Sequence, residues 1–455
     1  MITHEDIRIA VFGLGHVGLP TALGFAELGW DVIGVENDPD KASLIGAGNS
    51  WFYERGLTEI LNRHLETGTF RVETDVSKAL NDANVLFVCV GTPQREDGAA
   101  DLSVLESLAQ GIGSNLDSYK LVVEKSTTPV NTAQQLRASI ARHARSSKPA
   151  GANTNPHFDI AVNPEFLQEG RALDDFFNPD RIVLGVESEH AQDLLMTIYK
   201  PLVAKMGSTV DDTVIITDIN TAEIIKHASN AFLATKISFI NMISDLCDVT
   251  GADVTHVARG LGMDHRIGPA FLNAGLGYGG YCLPKDLKAF SYIASRHGVD
   301  FSFLEEVERI NTNRINNFLE KARQALWVLK GKTIAVWGLS FKPETDDIRD
   351  APSIGVVSSF VNEQARLRLY DPKASGHFKA LFPQNDQITY CDTALKAVEG
   401  ADALLVVTEW SEFLEIDTRE VADRMNVPLI IDGRNVYDPD EMRKSGFEYH
   451  GLGRH

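Results

Sequence analysis

With 455 residues the chain is long enough for two or three domains, since single cores stop growing near roughly 250 residues, and 44% hydrophobic with 23% charged residues argues against a disordered or fibrous protein. Asp and Glu number 63 against 43 Lys and Arg, a net charge of −20, which argues against nucleic acid or an anionic membrane as partner. A small anionic ligand would therefore need its own local cluster of cations.

The opening MITHEDIRIAVFGLG places charges where a secretion signal needs apolar residues, and no run approaches the roughly 18 apolar residues of a membrane span. A cytoplasmic location is expected. Cys89, Cys247, Cys282 and Cys391 lie far apart with no CxxC pair, a pattern of free thiols rather than of disulfides or a structural zinc site, and no metal is expected.

The first part of the chain alternates apolar runs with helical stretches: IRIAVFGLG (7–15), WDVIGVEND (30–38), ANVLFVCVGTP (83–93), YKLVVEKST (119–127), FDIAVNPEF (158–166) and DRIVLGV (180–186). Near-continuous apolar strands separated by helices predict a parallel sheet covered on both faces. The segment 144–157, ARSSKPAGANTNPH, has the composition of a loop.

The first of these runs leads into Gly13-Leu14-Gly15-His16-Val17-Gly18 and then a helical LPTALGFAELG. Strand, glycine turn and helix in that order are the context of a dinucleotide site: Gly13 for the tight turn, Gly15 for close approach of backbone to pyrophosphate, Gly18 for packing of helix on strand. The second run ends at Glu36, placed to accept from a ribose diol and to disfavour a 2′-phosphate, so NAD is the expected cofactor. Asn37 and Asp38 lie beside it and compete for that role.

From about residue 219 apolar positions recur at spacings of three and four, with no Pro and no Gly until Gly251. One long, largely buried helix is predicted, with Lys226 and Asn230 four apart on one face. Glycines and prolines then crowd 260–284, predicting an irregular loop. A second alternating series follows at 332–341, 366–372, 388–392, 402–410 and 428–435, with a helix at 354–365. Its first turn, Gly338-Leu339-Ser340-Phe341-Lys342, lacks the three-glycine spacing, so no dinucleotide is assigned there. The predicted architecture is α/β: two doubly wound, Rossmann-like parallel-sheet domains joined by a long central helix.

The segment GLGYGGYCLPKD (275–286) sets Cys282 after a glycine loop that could wrap a ligand, with Lys285 and Asp286 close behind. A nearby cation favours the thiolate and makes such a thiol a candidate nucleophile, although an isolated Cys is more often a small core residue.

Together GLGHVGLP, VGTP (90–93), KSTTPV (125–130), NPEFLQEGRALDDFFNPDRIVLG (163–185), AEIIKHASNAFLATKISFIN (222–241), GMDHRIGPAFLNAGLGYGGYCLPKD (262–286) and FKPETDDIRDAPS (341–353) resemble the UDP-glucose/GDP-mannose dehydrogenase family over nearly the whole chain. The resemblance implies an NAD-dependent enzyme that oxidises a sugar-nucleotide alcohol to a carboxylate in two steps through a covalent bond to Cys282. It implies that Lys226 and Asn230 stabilise oxyanions, and that Asp286, Thr127 and Glu165 manage water and protons, which of the three carries the proton being left open. NAD contacts carried over are Gly13, Gly15, His16, Val17, Gly18, Glu36, Lys41, Thr92, Thr127, Glu169, Lys285 and Arg349. Substrate contacts are Glu165, Phe166, Leu167, Glu169, Lys226, Asn230, Arg266, Phe271, Asn273, Tyr278, Gly279, Phe341, Lys342 and Arg434, in which Arg266, Lys342 and Arg434 supply the positive charge for a diphosphate.

The resemblance further implies domains at 1–205 (NAD), 206–318 (central helices with the Cys loop) and 319–455 (UDP-sugar), and at least a homodimer, with Arg266 reaching a neighbouring subunit. Asn131 and Tyr281 depart from the Gly and Ser commoner in the family. The NPEFLQEG to PDRIVLG segment favours UDP-glucose as the substrate over GDP-mannose or a UDP-N-acetylhexosamine. A catalytically inactive sensor and a single-step dehydrogenase are the rival classes.

Overall fold

The computed structural model describes residues 4–95, 99–146 and 157–455. Two compact units divide at Ser229 and Asn230, within one continuous helix, Ile219–Thr250. That helix has 32 residues and fits the predicted bounds.

Unit one carries eight strands: β1 (Ile9–Phe12), β2 (Val32–Val35), β3 (Phe70–Glu73), β4 (Val85–Val88), β5 (Lys120–Glu124), β6 (Phe158–Val162), β7 (Ile182–Gly185) and β8 (Val214–Thr217). They are ordered β3-β2-β1-β4-β5-β6-β7-β8. Along β1, Ile9 and Val11 enter one apolar cluster while Ala10 and Phe12 enter another, and β4 alternates in the same way. With helices on both faces no position of these strands is free to be polar, which is why each reads as an unbroken apolar run.

Neighbours pair in parallel except β6 and β7, which meet antiparallel at Val162 and Gly185. This corrects the uniformly parallel sheet expected from sequence. Parallel pairing resumes between β7 and β8.

Unit two carries β9 (Thr333–Trp337), β10 (Arg366–Tyr370), β11 (Ile388–Tyr390), β12 (Ala403–Val406), β13 (Leu429–Asp432) and β14 (Glu448–His450), all parallel, in the order β11-β10-β9-β12-β13-β14. This is the order of the first six strands of unit one. Ile334 and Val336 point into one core and Ala335 and Trp337 into the other. The helix predicted at 354–365 runs Pro352–Asn362.

Sequence reading missed β3, β8 and β14. In β3 only Phe70 is buried, and Ile215 and Ile216 of β8 are exposed; β3 and β14 close the outer edges of their sheets and β8 does the same at the far side. Of the loop expected at 144–157, residues 144–146 instead end the helix Thr132–Ser146, because its apolar face extends to buried Ala144. Residues 147–156 lie outside the described part. The irregular stretch expected at 260–284 is framed by two helices, Val254–Gly262 and Cys282–Arg296. All four cysteines are free thiols, and no described helix is long and apolar enough to cross a membrane.

Candidate active site

The glycine turn after β1 has the shape an extended anion needs. Gly13 sits at φ +87°, and a Cβ at Gly18 would fall 1.8 Å from the Gly13 carbonyl oxygen, so only glycine lets the helix Gly18–Glu27 start this close to the strand. A Cβ at Gly15, by contrast, would meet nothing within 4 Å: the backbone there is bare and open, at the positive end of a helix. His16 packs on Phe52 and Trp51, whose indole donates to the Leu14 carbonyl at 3.1 Å and carries the Lys41 ammonium 4.2 Å from its ring. Val17 immediately precedes that helix.

The acids that end β2 differ in their hydrogen bonds. Asp38 caps the next helix, accepting from the amides of Asp40 and Lys41. Glu36 turns back instead: its two carboxylate oxygens accept from the amides of Leu14 at 3.0 Å and Asp38 at 3.1 Å. One amide on each oxygen leaves lone pairs for a diol, so these residues fit NAD.

In unit two the equivalent acid at the end of β10 is Asp371. It accepts from the amides of Leu339, Ser340, Lys373 and Ala374, the Ser340 hydroxyl and the Trp410 indole. That saturated carboxylate has nothing left for a ribose, which supports leaving the second sheet without a dinucleotide.

The β5 end supplies Thr127, whose carbonyl accepts from the buried Thr92 hydroxyl at 2.8 Å. Asn131, where the family commonly has Gly, adopts φ +73°, a left-handed conformation Asn tolerates better than most residues. Glu223, on the long helix, anchors this turn by accepting from the amides of Asn131 at 2.7 Å and Ala133 at 3.1 Å.

Beneath the turn the Thr128 hydroxyl donates to Glu124, and His227 Nε2 bonds the Thr128 carbonyl oxygen at 2.8 Å. Burial pushes the Glu124 carboxyl up to about 8; the Glu223 charge adds to the rise and the Thr128 bond opposes it. In the unfolded chain such a carboxyl ionises near pH 4, roughly, so between there and about pH 8 the folded state holds the extra proton. Stability contributed by that proton is complete below the unfolded value and is lost as pH rises through the folded one. Glu124→Gln is expected to melt several degrees above the parent at about pH 8 and to lose that advantage near about pH 4.5. Equal shifts in melting temperature at both pH values would show that Glu124 ionises as freely folded as unfolded.

After β6, Glu165 is buried with its Oε1 2.9 Å from the Lys226 ammonium and its Oε2 accepting from the Leu167 amide at 2.7 Å. Phe166 lies under two cations, the Arg181 guanidinium 3.7 Å and the Lys226 ammonium 5.4 Å from its ring. The loop bearing Glu165 and Glu169 is held by Glu54, which accepts from the amides of Gly170 and Ala172 at 2.7 and 2.8 Å.

In unit two Cys282 is half-buried and opens the helix Cys282–Arg296, where the helix dipole favours a thiolate. Asp286, one turn on and fully buried, takes a bond of 2.6 Å from the Asn230 amide and pairs with Lys285 at 3.0 Å. Lys226 and Asn230 thus each answer to a carboxylate, Glu165 and Asp286 respectively.

The glycine loop, expected to wrap a ligand with its backbone, is largely engaged by the protein itself. The Leu276 amide donates to the Gly433 carbonyl and Gly280 to that of Arg349, both at 2.9 Å; Asn311 both donates to and accepts from the Tyr278 backbone. Buried Arg314 donates to the Gly275 carbonyl at 3.0 Å. A Cβ at Gly279 would strike the Asp350 carbonyl oxygen at 2.3 Å, so glycine is required there by packing. These bonds brace the loop that leads into Cys282.

Arg434, read as a phosphate cation, is part of this bracing: it donates to the carbonyls of Val407 and Gly277 at 2.8 and 2.9 Å and pairs with Glu409. Phe341 and Lys342 share the neighbouring loop, the ammonium 5.7 Å from the ring. Arg349 is gripped by Asp347 through bonds of 2.7 to 2.9 Å. Phe271 has φ +63° and Asn273 is exposed. Arg266 is exposed and paired with Asp264 at 2.6 Å. Glu54, Glu223, Asp347, Asn311 and Arg314 are positioning residues that sequence reading missed. No group of three or more His, Cys, Asp or Glu among the described residues could hold a metal ion.

Comparison with known proteins agrees with this layout. Profiles of the UDP-glucose/GDP-mannose dehydrogenase family match as its NAD binding domain over residues 7–203, its central domain over 220–313 and its UDP binding domain over 335–439. A UDP-glucose 6-dehydrogenase of Bacillus subtilis is 41% identical over 448 residues, covering 98% of both chains. One of Pseudomonas aeruginosa is 40% identical over 458 residues, with the same coverage. The solved structure of a UDP-glucose dehydrogenase from Pyrobaculum islandicum superimposes with a TM-score of 0.88 at 33% identity, over 99% of this chain and 98% of that one.

Proposed function

The chain belongs to the UDP-glucose/GDP-mannose dehydrogenase family of NAD-dependent oxidoreductases, and from that premise we propose that it oxidises UDP-glucose to UDP-glucuronate through a covalent intermediate on Cys282. The observation that carries the reading is the thiol at a helix N-terminus, one turn from an Asp286 buried between Asn230 and Lys285. A single-step dehydrogenase has no use for that arrangement.

NAD supplies the hydride acceptor for both oxidations. The C6 alcohol first loses a hydride and a proton to become an aldehyde. Cys282 then adds to the carbonyl carbon, forming a C–S bond, and the oxygen takes up the proton as a thiohemiacetal. Loss of a second hydride and of the hydroxyl proton gives a thioester. Water attacks that carbon, the C–S bond breaks, and the thiol and carboxylate separate. Tethering matters because a free aldehyde can hydrate or escape between the oxidations.

Lys226 and Asn230, one turn apart on the long helix, serve as donors to the C6 oxygen as it gains charge. Asp286 takes the proton of the attacking water, while Glu165 holds the Lys226 ammonium at 2.9 Å and Thr127 lines the cofactor side. Arg266 and Lys342 supply positive charge for the diphosphate, and Arg434 keeps the loop in register. The working domains are 1–205 for NAD, 206–318 for the thiol and 319–455 for the UDP-sugar.

With limiting UDP-glucose as sole substrate, two NADH per sugar and formation of UDP-glucuronate are expected, followed by absorbance and chromatography. One NADH per sugar would indicate a single-step dehydrogenase. None would indicate another sugar nucleotide or an inactive sensor.

We also assign the chain to at least a homodimer. Phe232, Phe239, Met242, Leu246 and Val249 are exposed on the long helix at spacings of seven, three, four and three, with Val249 81% accessible. That is the seam two helices share when they pack along their length. Sedimentation should give a dimer mass or higher for the parent and a smaller species for Leu246→Glu; a monomeric parent would contradict the assignment.

A further inference from the structure

Tyr281, immediately before the thiol, is flanked by two cations: the Arg349 guanidinium lies 4.5 Å and the Lys285 ammonium 5.3 Å from the centre of its ring. Each cation brings its own carboxylate, Asp347 for Arg349 at 2.7 Å and Asp286 for Lys285 at 3.0 Å. Two like charges can therefore share one ring without prohibitive repulsion. The backbone fixes the ring as well, since the Gly280 amide donates to the Arg349 carbonyl at 2.9 Å.

We propose that the aromatic face of Tyr281 is a positioning element for the nucleophile loop, holding Lys285 and Arg349, each with its carboxylate, against the residue that precedes Cys282 before any ligand arrives. A chain of contacts results, Asn230 to Asp286 to Lys285 to the Tyr281 ring to Arg349 to Asp347. It ties the buried carboxylate of the thiol helix to the loop 341–353. Half-burial raises the Tyr281 phenol above its ordinary value, so the hydroxyl stays protonated and the ring face is what the cations meet. The ring adds a second hold to the one each carboxylate provides, and it keeps Lys285 in the first turn of the helix that Cys282 opens, where a cation favours the thiolate.

The inference rests on Cys282 being the nucleophile, but its test needs neither substrate nor turnover. In the full-length, cofactor-free protein, the rate of Cys282 alkylation by iodoacetamide at neutral pH is followed by mass spectrometry of its peptide. Tyr281→Phe keeps the aromatic face and is expected within about twofold of the parent, whereas Tyr281→Leu is expected to react about three- to tenfold more slowly. Arg349→Gln, at an exposed position that leaves the loop backbone intact, is expected to slow the reaction in the same direction and to make a subsequent Tyr281→Leu change smaller. Equal rates for Phe and Leu, a faster Leu variant, or no effect of Arg349→Gln would overturn the proposal. Slowed alkylation in a protein whose parent makes no UDP-glucuronate would support the clamp while rejecting the assigned reaction.

Discussion

Cys282→Ala is expected to lower the rate of UDP-glucuronate formation by at least about 10⁴-fold while leaving NAD affinity within a few-fold of the parent, because in the proposed reaction the variant removes the one group that bonds to C6 and nothing that binds the cofactor. The first oxidation needs no thiol, so a residual signal of at most one NADH per sugar should survive, with aldehyde or its hydrate as product. Cys282→Ser tests the leaving-group argument separately. A hydroxyl is a poorer nucleophile and an alkoxide a poorer leaving group than a thiolate, so turnover should fall strongly and an ester on the substituted residue should become visible by intact mass. The other thiols are poor substitutes. Cys89 is buried, with its thiol pushed up to about 12 by desolvation, and burial likewise raises Cys247 and Cys391. Near-parental production of the acid by Cys282→Ala would remove the covalent mechanism.

How far the sequence reveals all this depends on whether a residue's role is local. Strands such as β1 and β4 are legible because both faces are buried and every position must be apolar, whereas β3 and β8 carry no such run. The glycine turn is legible because its constraint is steric and confined to six residues. The sequence favours Glu36 at the end of β2 but does not show what Asp38 does; the amides of Asp40 and Lys41 occupy Asp38 as a helix cap.

Roles that depend on distant backbone groups are less legible still. The bracing role of Arg434 is one of these: nothing near it in sequence predicts that the carbonyl of Gly277, 157 residues away, will accept from its guanidinium. Glu54 and Glu223 draw no reading from sequence, yet each is buried against the two backbone amides it accepts from. The apolar context of Glu223 in AEII was the one available signal. The pairing of Tyr281 with Arg349 joins a loop to another some seventy residues on, which no periodicity anticipates.

Lys226→Met should lower kcat by about 10² to 10³-fold with a smaller change in KM for UDP-glucose, the signature of a donor whose bond strengthens as the C6 oxygen gains charge. The substitution has a second effect that must be separated from the first. Lys226 and Glu165 are both about 95% buried on the side chain, with 5% left accessible on each, and removing one partner strands the other's charge at a cost of about 3 to 5 kcal/mol. Lys226→Met alone should therefore melt well below the parent. Adding Glu165→Gln removes the stranded charge and keeps an acceptor for the Leu167 amide, so the double variant should recover most of the lost melting temperature. Its kcat should stay low, because neutralising Glu165 restores the fold but supplies no cation to the developing oxyanion. Thermal unfolding and steady-state kinetics on the same three preparations read the two effects apart. If the double variant regained near-parental kcat, Lys226 would act only by neutralising Glu165, and the oxyanion would have to be held by Asn230 without it.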